Sequence, residues 1–381
     1  MKVCLATGQF ASPYSGVGTY ARALATGLRR QGIHVVILCP QEQIEPSSGF
    51  TFVPAPAMRL PGHAQWLSHA YAFSRGFSNV RDVDLVHFLD AREALWHVGR
   101  RVAAVGTVHD YYFTDPAQYW QHRQRYPDWQ LRTAYSLIVR TLERAAYRKV
   151  DTLIANSEAT NARVSAAYRL SGRLTTIHIG LDLTVISPLP TDRTDSVLFV
   201  GGNAYRKGLD RLIRCLPHLT PARTELWVAG TEVPRRLRTL AMTSGVWSRI
   251  RQHGAVNADT LATLYRGAKV LALPGVTEAF GLVFMEAMAA GCAVVGPADG
   301  GASEFVHDGV NGYLVPYDDD QLLRERLSVL LNDEECRRRM TESAASSLAS
   351  HTVERMTSKT VQLYRSVLEG WPLRRDEERS P

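Results

Sequence analysis

The chain has 381 residues, 45% hydrophobic and 21% charged with a formal net charge of +7, which is more than one hydrophobic core usually serves, so two domains of roughly 200 residues or fewer are expected. No apolar run reaches the roughly 18 residues that span a bilayer, and strand-like sequence begins at Val3, too early for a signal peptide, so a cytosolic protein is expected. Five widely separated cysteines (Cys4, Cys39, Cys215, Cys292, Cys336) argue against a disulfide framework and a zinc site, and read as small core residues.

Short apolar runs alternate with segments of helical period along the whole chain, the pattern of a wound parallel α/β sheet. In the first half, residues 3–6, 35–39, 83–88, 103–108 and 152–155 read as buried parallel strands. After the first comes Ser15-Gly16-Val17-Gly18-Thr19-Tyr20, a Gly-x-Gly before a helix. Ala21 replaces the third glycine of a dinucleotide fingerprint, and the second strand ends in Cys39-Pro40-Gln41 without an acid, which counts against a nicotinamide or flavin enzyme. His109 closes the strand 103–108, at the edge where parallel sheets bind ligands, and Asp110 beside it is expected to orient the loop.

The net charge sits in this half: residues 1–190 hold 20 basic against 13 acidic side chains, and residues 191–381 hold 24 against 24. Residues 119–150 alone carry seven basic and two acidic groups, interleaved with Tyr119, Trp120, Tyr126, Trp129, Tyr135 and Tyr147. Such a stretch suits nucleic acid, an anionic membrane surface or an acidic acceptor, and equally a solvated helix face.

Two prolines at 188 and 190, then a polar run over 191–196, predict an interdomain linker, after which the strand pattern restarts at 197–200, 225–229, 270–273, 293–295 and 312–315. The expected organisation is a Rossmann-like domain over 1–187, a second over 188–355, and a C-terminal helix and tail over 356–381 that crosses back to the first domain. Two such domains facing one another make a cleft.

In the second half, Phe199-Val-Gly-Gly202-Asn-Ala-Tyr-Arg206-Lys207-Gly208 places two adjacent cations after a strand and a glycine turn. Preplaced cations stabilise negative charge on a bound group, and a helix dipole disfavours cations at its start unless an anion accompanies them. The segment Pro274–Gly291 passes from strand through loop to a helix expected to begin near Phe280, with Glu278 in the loop and Glu286 two turns into the helix. Free N–H groups of Gly281, Leu282 and Val283 at that helix start suit a phosphate. Gly300-Gly301-Ala-Ser-Glu304 forms a later glycine turn that permits close backbone approach, with Glu304 either a ligand contact or structural. Asp318-Asp319-Asp320 contains an Asp-x-Asp pattern but reads as the cap and first turn of a helix, so no metal is required.

These motifs, in this order, resemble the retaining glycosyltransferases of family 4, which have the GT-B fold and an E-x7-E motif where this chain has Glu278 and Glu286. The resemblance implies that Glu278 contacts the donor-sugar hydroxyls, that Glu286 holds the ribose of the nucleotide, and that Lys207 binds the diphosphate; Phe280, Gly281, Leu282 and Val283 at the helix start are candidate donor-binding residues beside them. Many members place an arginine where this chain has Gly202; Arg206 looks like its substitute, as in the lipopolysaccharide-core glucosyltransferases. Gly16 and Gly18 become candidate diphosphate contacts, and His109 matches a position that reaches the donor sugar near the reacting carbon.

The implied activity is transfer of a hexose from a nucleoside diphosphate sugar, uridine slightly ahead of guanosine, to a lipid, saccharide or small-molecule acceptor. Retention by front-face attack is preferred, since no carboxylate is placed as a nucleophile. No cofactor is implied beyond the donor substrate, and nucleic acid is not expected as a partner. Rivals are a GT-B epimerase or phosphorylase, distinguished by activity without acceptor or by phosphate dependence, and a basic nucleic-acid-binding protein. The association expected is cytoplasmic, with an anionic membrane surface at the inner face as a candidate partner.

Overall fold

The computed structural model describes residues 1–12, 15–60, 64–97, 102–114, 129–182 and 192–377. The chain divides into two compact units, one of Met1–Gly180 with Val353–Pro381 and the other of Leu181–Thr352. The prolines of the expected linker, at 188 and 190, lie outside the described residues.

In the first unit seven parallel strands run in the order β3-β2-β1-β4-β5-β6-β7: β1 (Lys2–Ala6), β2 (His34–Cys39), β3 (Thr51–Pro54), β4 (Leu85–Phe88), β5 (Ala103–Val108), β6 (Thr152–Ala155) and β7 (Leu174–Thr176). Helices α1 (Gly16–Arg30), α2 (Gln65–Gly76), α3 (Trp129–Tyr147) and α4 (Glu158–Tyr168) connect them, and α11 (Val353–Glu377) closes the unit. Val3, Cys4, Leu5 and Ala6 are fully buried, as are most β4, β5 and β6 side chains, because helices cover both faces of a parallel sheet.

The second unit repeats the topology with six parallel strands in the order β10-β9-β8-β11-β12-β13: β8 (Thr194–Val200), β9 (Glu225–Ala229), β10 (Ile250–Gly254), β11 (Ala268–Ala272), β12 (Ala293–Pro297) and β13 (Tyr313–Val315). Its helices are α5 (Leu209–Cys215), α6 (Arg235–Thr243), α7 (Ala258–Gly267), α8 (Leu282–Ala289), α9 (Asp320–Asn332) and α10 (Glu334–Leu348). Each sheet is a doubly wound Rossmann-like layer with a switch point, β1/β4 in one and β8/β11 in the other.

Three strands are additional to the sequence expectation. β3, β7 and β10 are all sheet edges; Arg251, Gln252 and His253 of β10 are exposed, so these segments lack the apolar run that marks a central strand. Part of the polar run expected as linker, from Thr194, is the start of β8. The helix α11 is tied to the first sheet by Tyr364, whose hydroxyl meets His87 Nδ1 at 2.6 Å, while His87 Nε2 lies 2.7 Å from Thr107 Oγ1. Burial pushes His87 down to about 3, so this bridge is neutral. Where α11 crosses α1, a Cβ on Gly27 would lie 2.1 Å from Thr357 Oγ1, so only glycine allows the approach. All five cysteines are buried and free.

Candidate functional site

In the second unit the chain leaves β8 through Gly201-Gly202-Asn203-Ala204-Tyr205-Arg206-Lys207-Gly208 and leaves β11 through Pro274–Gly281, so the two segments flank the switch point. They are zipped together by backbone. Val276 N–H donates to the Arg206 carbonyl at 3.1 Å, Arg206 Nη1 donates to the Thr277 carbonyl at 3.3 Å, and Asn203 Oδ1 accepts from Arg206 N–H at 3.1 Å. Gly208 has φ +84° and a Cβ there would sit 2.5 Å from the Pro274 carbonyl oxygen, so the turn into α5 demands glycine twice over. Arg206 and Lys207 precede α5 rather than lying in its first turn, which relieves the dipole conflict read from sequence.

That zipper brings three charges together. Lys207 Nζ lies 3.5 Å and Arg206 Nη1 4.0 Å from Glu278 Oε2, each side chain under one-fifth exposed. Burial acts to raise the Glu278 carboxyl, but Lys207, Arg206 and the Ala279 N–H outweigh it and hold it below its ordinary value. Burial lowers the Lys207 ammonium, against the opposing pull of Glu278. The Glu278 backbone is fixed in turn: Gly301 N–H donates to its carbonyl at 2.7 Å, and residues 278 and 300 form a parallel bridge. The Gly301 N–H is thus spent on holding Glu278.

Glu286 stands on α8. Tyr265 of α7 donates to Glu286 Oε2 at 2.8 Å, and burial raises Glu286 to about 7. The helix starts at Leu282, two residues later than expected, because Phe280 is drawn into the core against Phe305 and His351, at ring separations of 5.6 and 6.2 Å. Phe280 is therefore not a side-chain contact for a ligand. Gly281 turns through the left-handed region at φ +99° as the cap, and Leu282 and Val283 occupy the first turn, partly exposed. Gly202 is exposed, and a Cβ there would meet only the Gly230 carbonyl oxygen, at 3.9 Å.

Sequence reading missed the brace beneath this site. Arg211, fully buried, donates to the carbonyls of Pro274 (2.8 Å), Asp319 (2.9 Å) and Pro316 (3.2 Å) and to Asp320 Oδ1 (2.6 Å). Asp319 caps α9 by accepting from Leu322 N–H at 2.7 Å. Within the Asp-x-Asp run, Asp319 is thus committed to capping and Asp320 to Arg211. Only a cation four residues after Lys207, on a short helix that also carries Asp210 and Arg214, hinted at this role.

In the first unit, Gly16 is the exposed first residue of α1, whereas Gly18 is buried in its first turn. A Cβ on Gly18 would meet the Gln9 and Ser12 carbonyls at 2.6 Å, and its N–H is taken by the Ser15 cap, so Gly18 packs the helix start and is not available as a backbone contact. His109 Nε2 lies 2.6 Å from the Leu89 carbonyl, which can only accept, so Nε2 carries the proton. Burial lowers the imidazole, leaving it neutral with Nδ1 as a bare acceptor. Arg92, unnoticed in the sequence, forms a fork with Asp90 (2.8 Å), reaches Asp110 (3.4 Å) and lies 3.8 Å from Glu143, holding both loops beside His109. At the β1/β4 switch point, Glu93 Oε1 accepts from Gly8 N–H (3.2 Å) and pairs with His69 Nδ1 (3.0 Å). Nothing local in the sequence marks that pair, which converges from α2 and the end of β4.

Two doubly wound units, one carrying a cation pair and two glutamates spaced as E-x7-E at its switch point, define the GT-B class of glycosyltransferase. A family model described as Glycosyltransferase Family 4 matches residues 14–185, and one described as Glycosyl transferases group 1 matches residues 187–347. The chain belongs to the family 4 glycosyltransferases. It is 36% identical over 219 residues to the D-inositol 3-phosphate glycosyltransferase of Xylanimonas cellulosilytica, covering 51% of this chain and 52% of that protein. The chain spans about half the length of the curated relatives it matches first. Among solved structures, sucrose-phosphate synthase from Thermosynechococcus elongatus superposes with a TM-score of 0.81 at 22% identity, over 97% of this chain and 100% of that one. Anabaena Alr3699/HepE in complex with UDP-glucose gives 0.76 at 19% identity, over 96% and 100%.

Proposed function

We propose that this protein transfers a hexose from a nucleoside diphosphate sugar, with uridine as the base, to an acceptor hydroxyl with retention at the anomeric carbon. The observation that carries this reading is the trio of Arg206, Lys207 and Glu278 at the second unit's switch point. The two cations neutralise the diphosphate as the bond from the anomeric carbon to the phosphate oxygen breaks, a stabilisation that needs no metal ion and no proton transfer. Glu278, held ionised, accepts hydrogen bonds from sugar hydroxyls, and Glu286 accepts them from the ribose. Leu282 and Val283 at the start of α8 offer N–H groups to a phosphate, and Gly202 leaves room beside it. In the first unit, neutral His109 is equipped to accept a sugar hydroxyl through Nδ1.

The new bond forms between the acceptor oxygen and the anomeric carbon on the face the phosphate leaves, and the acceptor's proton passes to the departing phosphate oxygen. Uridine is favoured because a structure of like fold, Anabaena Alr3699/HepE, is described with UDP-glucose. The test is a panel of uridine, guanosine and adenosine diphosphate sugars, read by thermal shift and by release of nucleoside diphosphate. A true donor at 100 times its dissociation constant adds about 2.7 kcal/mol of stability. Stabilisation by none of them, or turnover requiring inorganic phosphate in place of an acceptor, would overturn the assignment.

An anionic membrane surface is the partner we assign to the first unit. On α3, Leu131, Leu137 and Ile138 are 75, 52 and 61% exposed and Arg144 is exposed, while Val139, Glu143, Ala146 and Tyr147 are buried; Arg148 and Lys149, just beyond the helix end, are exposed as well. This is an apolar stripe with basic residues beside it, the pattern of a helix that lies in an interface. Arg123 and Arg125 of the same basic stretch lie outside the described residues. Among the described residues, no helix is long and apolar enough to cross a membrane.

A further inference from the structure

Glu286 makes one hydrogen bond among the described residues, and it comes from a buried phenol. Tyr265 sits near the end of α7, 1% exposed, and its hydroxyl donates to Glu286 Oε2 at 2.8 Å across the α7/α8 contact. Burial and the neighbouring carboxylate hold that phenol well above its ordinary range, so it stays protonated and stays a donor. Its backbone is fixed as well, since Arg193 Nη1 donates to the Tyr265 carbonyl at 2.8 Å and to the Ala268 carbonyl at 2.7 Å.

We propose that Tyr265 is a positioning residue for nucleotide recognition: it pins one oxygen of Glu286, and the other is left to accept the ribose hydroxyls. The inference rests on the reading of the second unit as the donor site. It adds a proton-linked step to that reading, because a carboxylate with both oxygens accepting must be ionised, whereas a carboxylic acid offers one acceptor fewer.

Two groups act on the Glu286 charge. Tyr265, from α7, and Lys207, from the β8–α5 turn, both favour the ionised form, and burial opposes them; α10 and β12, also packed on α8, present no charged group to it. The balance leaves Glu286 raised to about 7, so ligand-free protein near neutrality is divided between the two forms. Nucleotide binding then selects the ionised form and releases a proton. Without the Tyr265 hydroxyl the ionised form loses its neutral donor, and the titration moves upward.

Tyr265→Phe keeps the ring and removes one oxygen atom. Two measurements test it on the full chain. Isotope-edited infrared titration of ligand-free protein, with Glu286→Gln identifying the band, reports the Glu286 carboxyl directly; the expected result is an upward move of roughly one pH unit in Tyr265→Phe, the size of one hydrogen bond to a charged group. Calorimetric titration with UDP is expected to show roughly tenfold weaker binding than wild type about pH 6 and near-equal binding about pH 9. An unmoved infrared titration, or UDP affinity reduced by the same factor at every pH as simple packing loss would do, overturns the positioning role. If the infrared band moves while UDP binds wild type, Tyr265→Phe and Glu286→Gln alike, the ribose contact itself is wrong and the proposal falls with it, by a route the infrared data keep distinct.

Discussion

Lys207 Nζ stands 3.5 Å from Glu278 Oε2 although the two residues are 71 positions apart, because the Arg206 carbonyl and the Val276 N–H join the β8–α5 turn to the β11–α8 loop. The pair makes each partner's charge the other's support. Replacing Lys207 by Met is expected to lower turnover by roughly two to three orders of magnitude, comparable with losing one preorganised donor to developing charge. Steady-state kinetics with the chosen donor checks it, and near-wild-type turnover would remove Lys207 from the mechanism.

Glu278 and Glu286 should fail differently. Glu278→Gln is expected to bind UDP within a few-fold of wild type while losing transfer, because its partners are sugar hydroxyls and the free nucleotide lacks them. Glu286→Gln is expected to weaken UDP itself. Calorimetry on both variants with UDP and with the sugar nucleotide decides it; equal UDP affinity in all three proteins contradicts the assignment.

Stability against pH should bear the mark of Glu286. Its folded carboxyl is raised from 4.5 to about 7, so between those values the native state keeps a proton that the unfolded chain has lost, and stability falls as pH rises through that window. Glu286→Gln removes the penalty. It is expected to be more stable than wild type above about pH 7, on the order of 3 kcal/mol, with the difference vanishing below about pH 4.5. Denaturant unfolding at three pH values measures this, and a gap that does not change with pH refutes it.

Arg211 is fully buried and serves three carbonyls and one carboxylate. Arg211→Met leaves those acceptors without a donor, and a loss of about 3–5 kcal/mol is expected. Arg211→Lys, which cannot reproduce the fork, should recover only part of it. Chemical denaturation gives the answer; a change under about 1 kcal/mol for Met would show that the brace is dispensable.

The stripe on α3 predicts co-sedimentation with vesicles containing anionic lipid and release by salt, as the Debye length shrinks from about 10 Å at 0.1 M to about 3 Å at 1 M. Leu137→Gln with Ile138→Gln should weaken binding to anionic vesicles while keeping its salt sensitivity, whereas Arg144→Gln with Arg148→Gln should reduce that sensitivity. Equal partitioning to neutral and anionic vesicles, or none to either, would leave a water-soluble acceptor as the better reading.

The sequence alone determined the architecture and marked the cation pair and the two glutamates. Val3–Ala6 and Val197–Val200 are continuous apolar runs each followed closely by glycine, and burial on both faces of a parallel sheet requires such runs, so the central strands were legible. The spacing of Glu278 and Glu286 and the adjacency of Arg206 and Lys207 are local, so they too could be read. The tertiary structure decided what depends on distant partners: Phe280 taken into the core by Phe305 and His351, Gly18 shut in by the Gln9 and Ser12 carbonyls, the edge strands β3, β7 and β10 defined by pairing rather than hydrophobicity, and Tyr265, Arg211 and Arg92 made important by groups up to 109 positions away. A side chain's charge state and hydrogen-bond partner are set by what surrounds it in space, and only the folded chain fixes those surroundings.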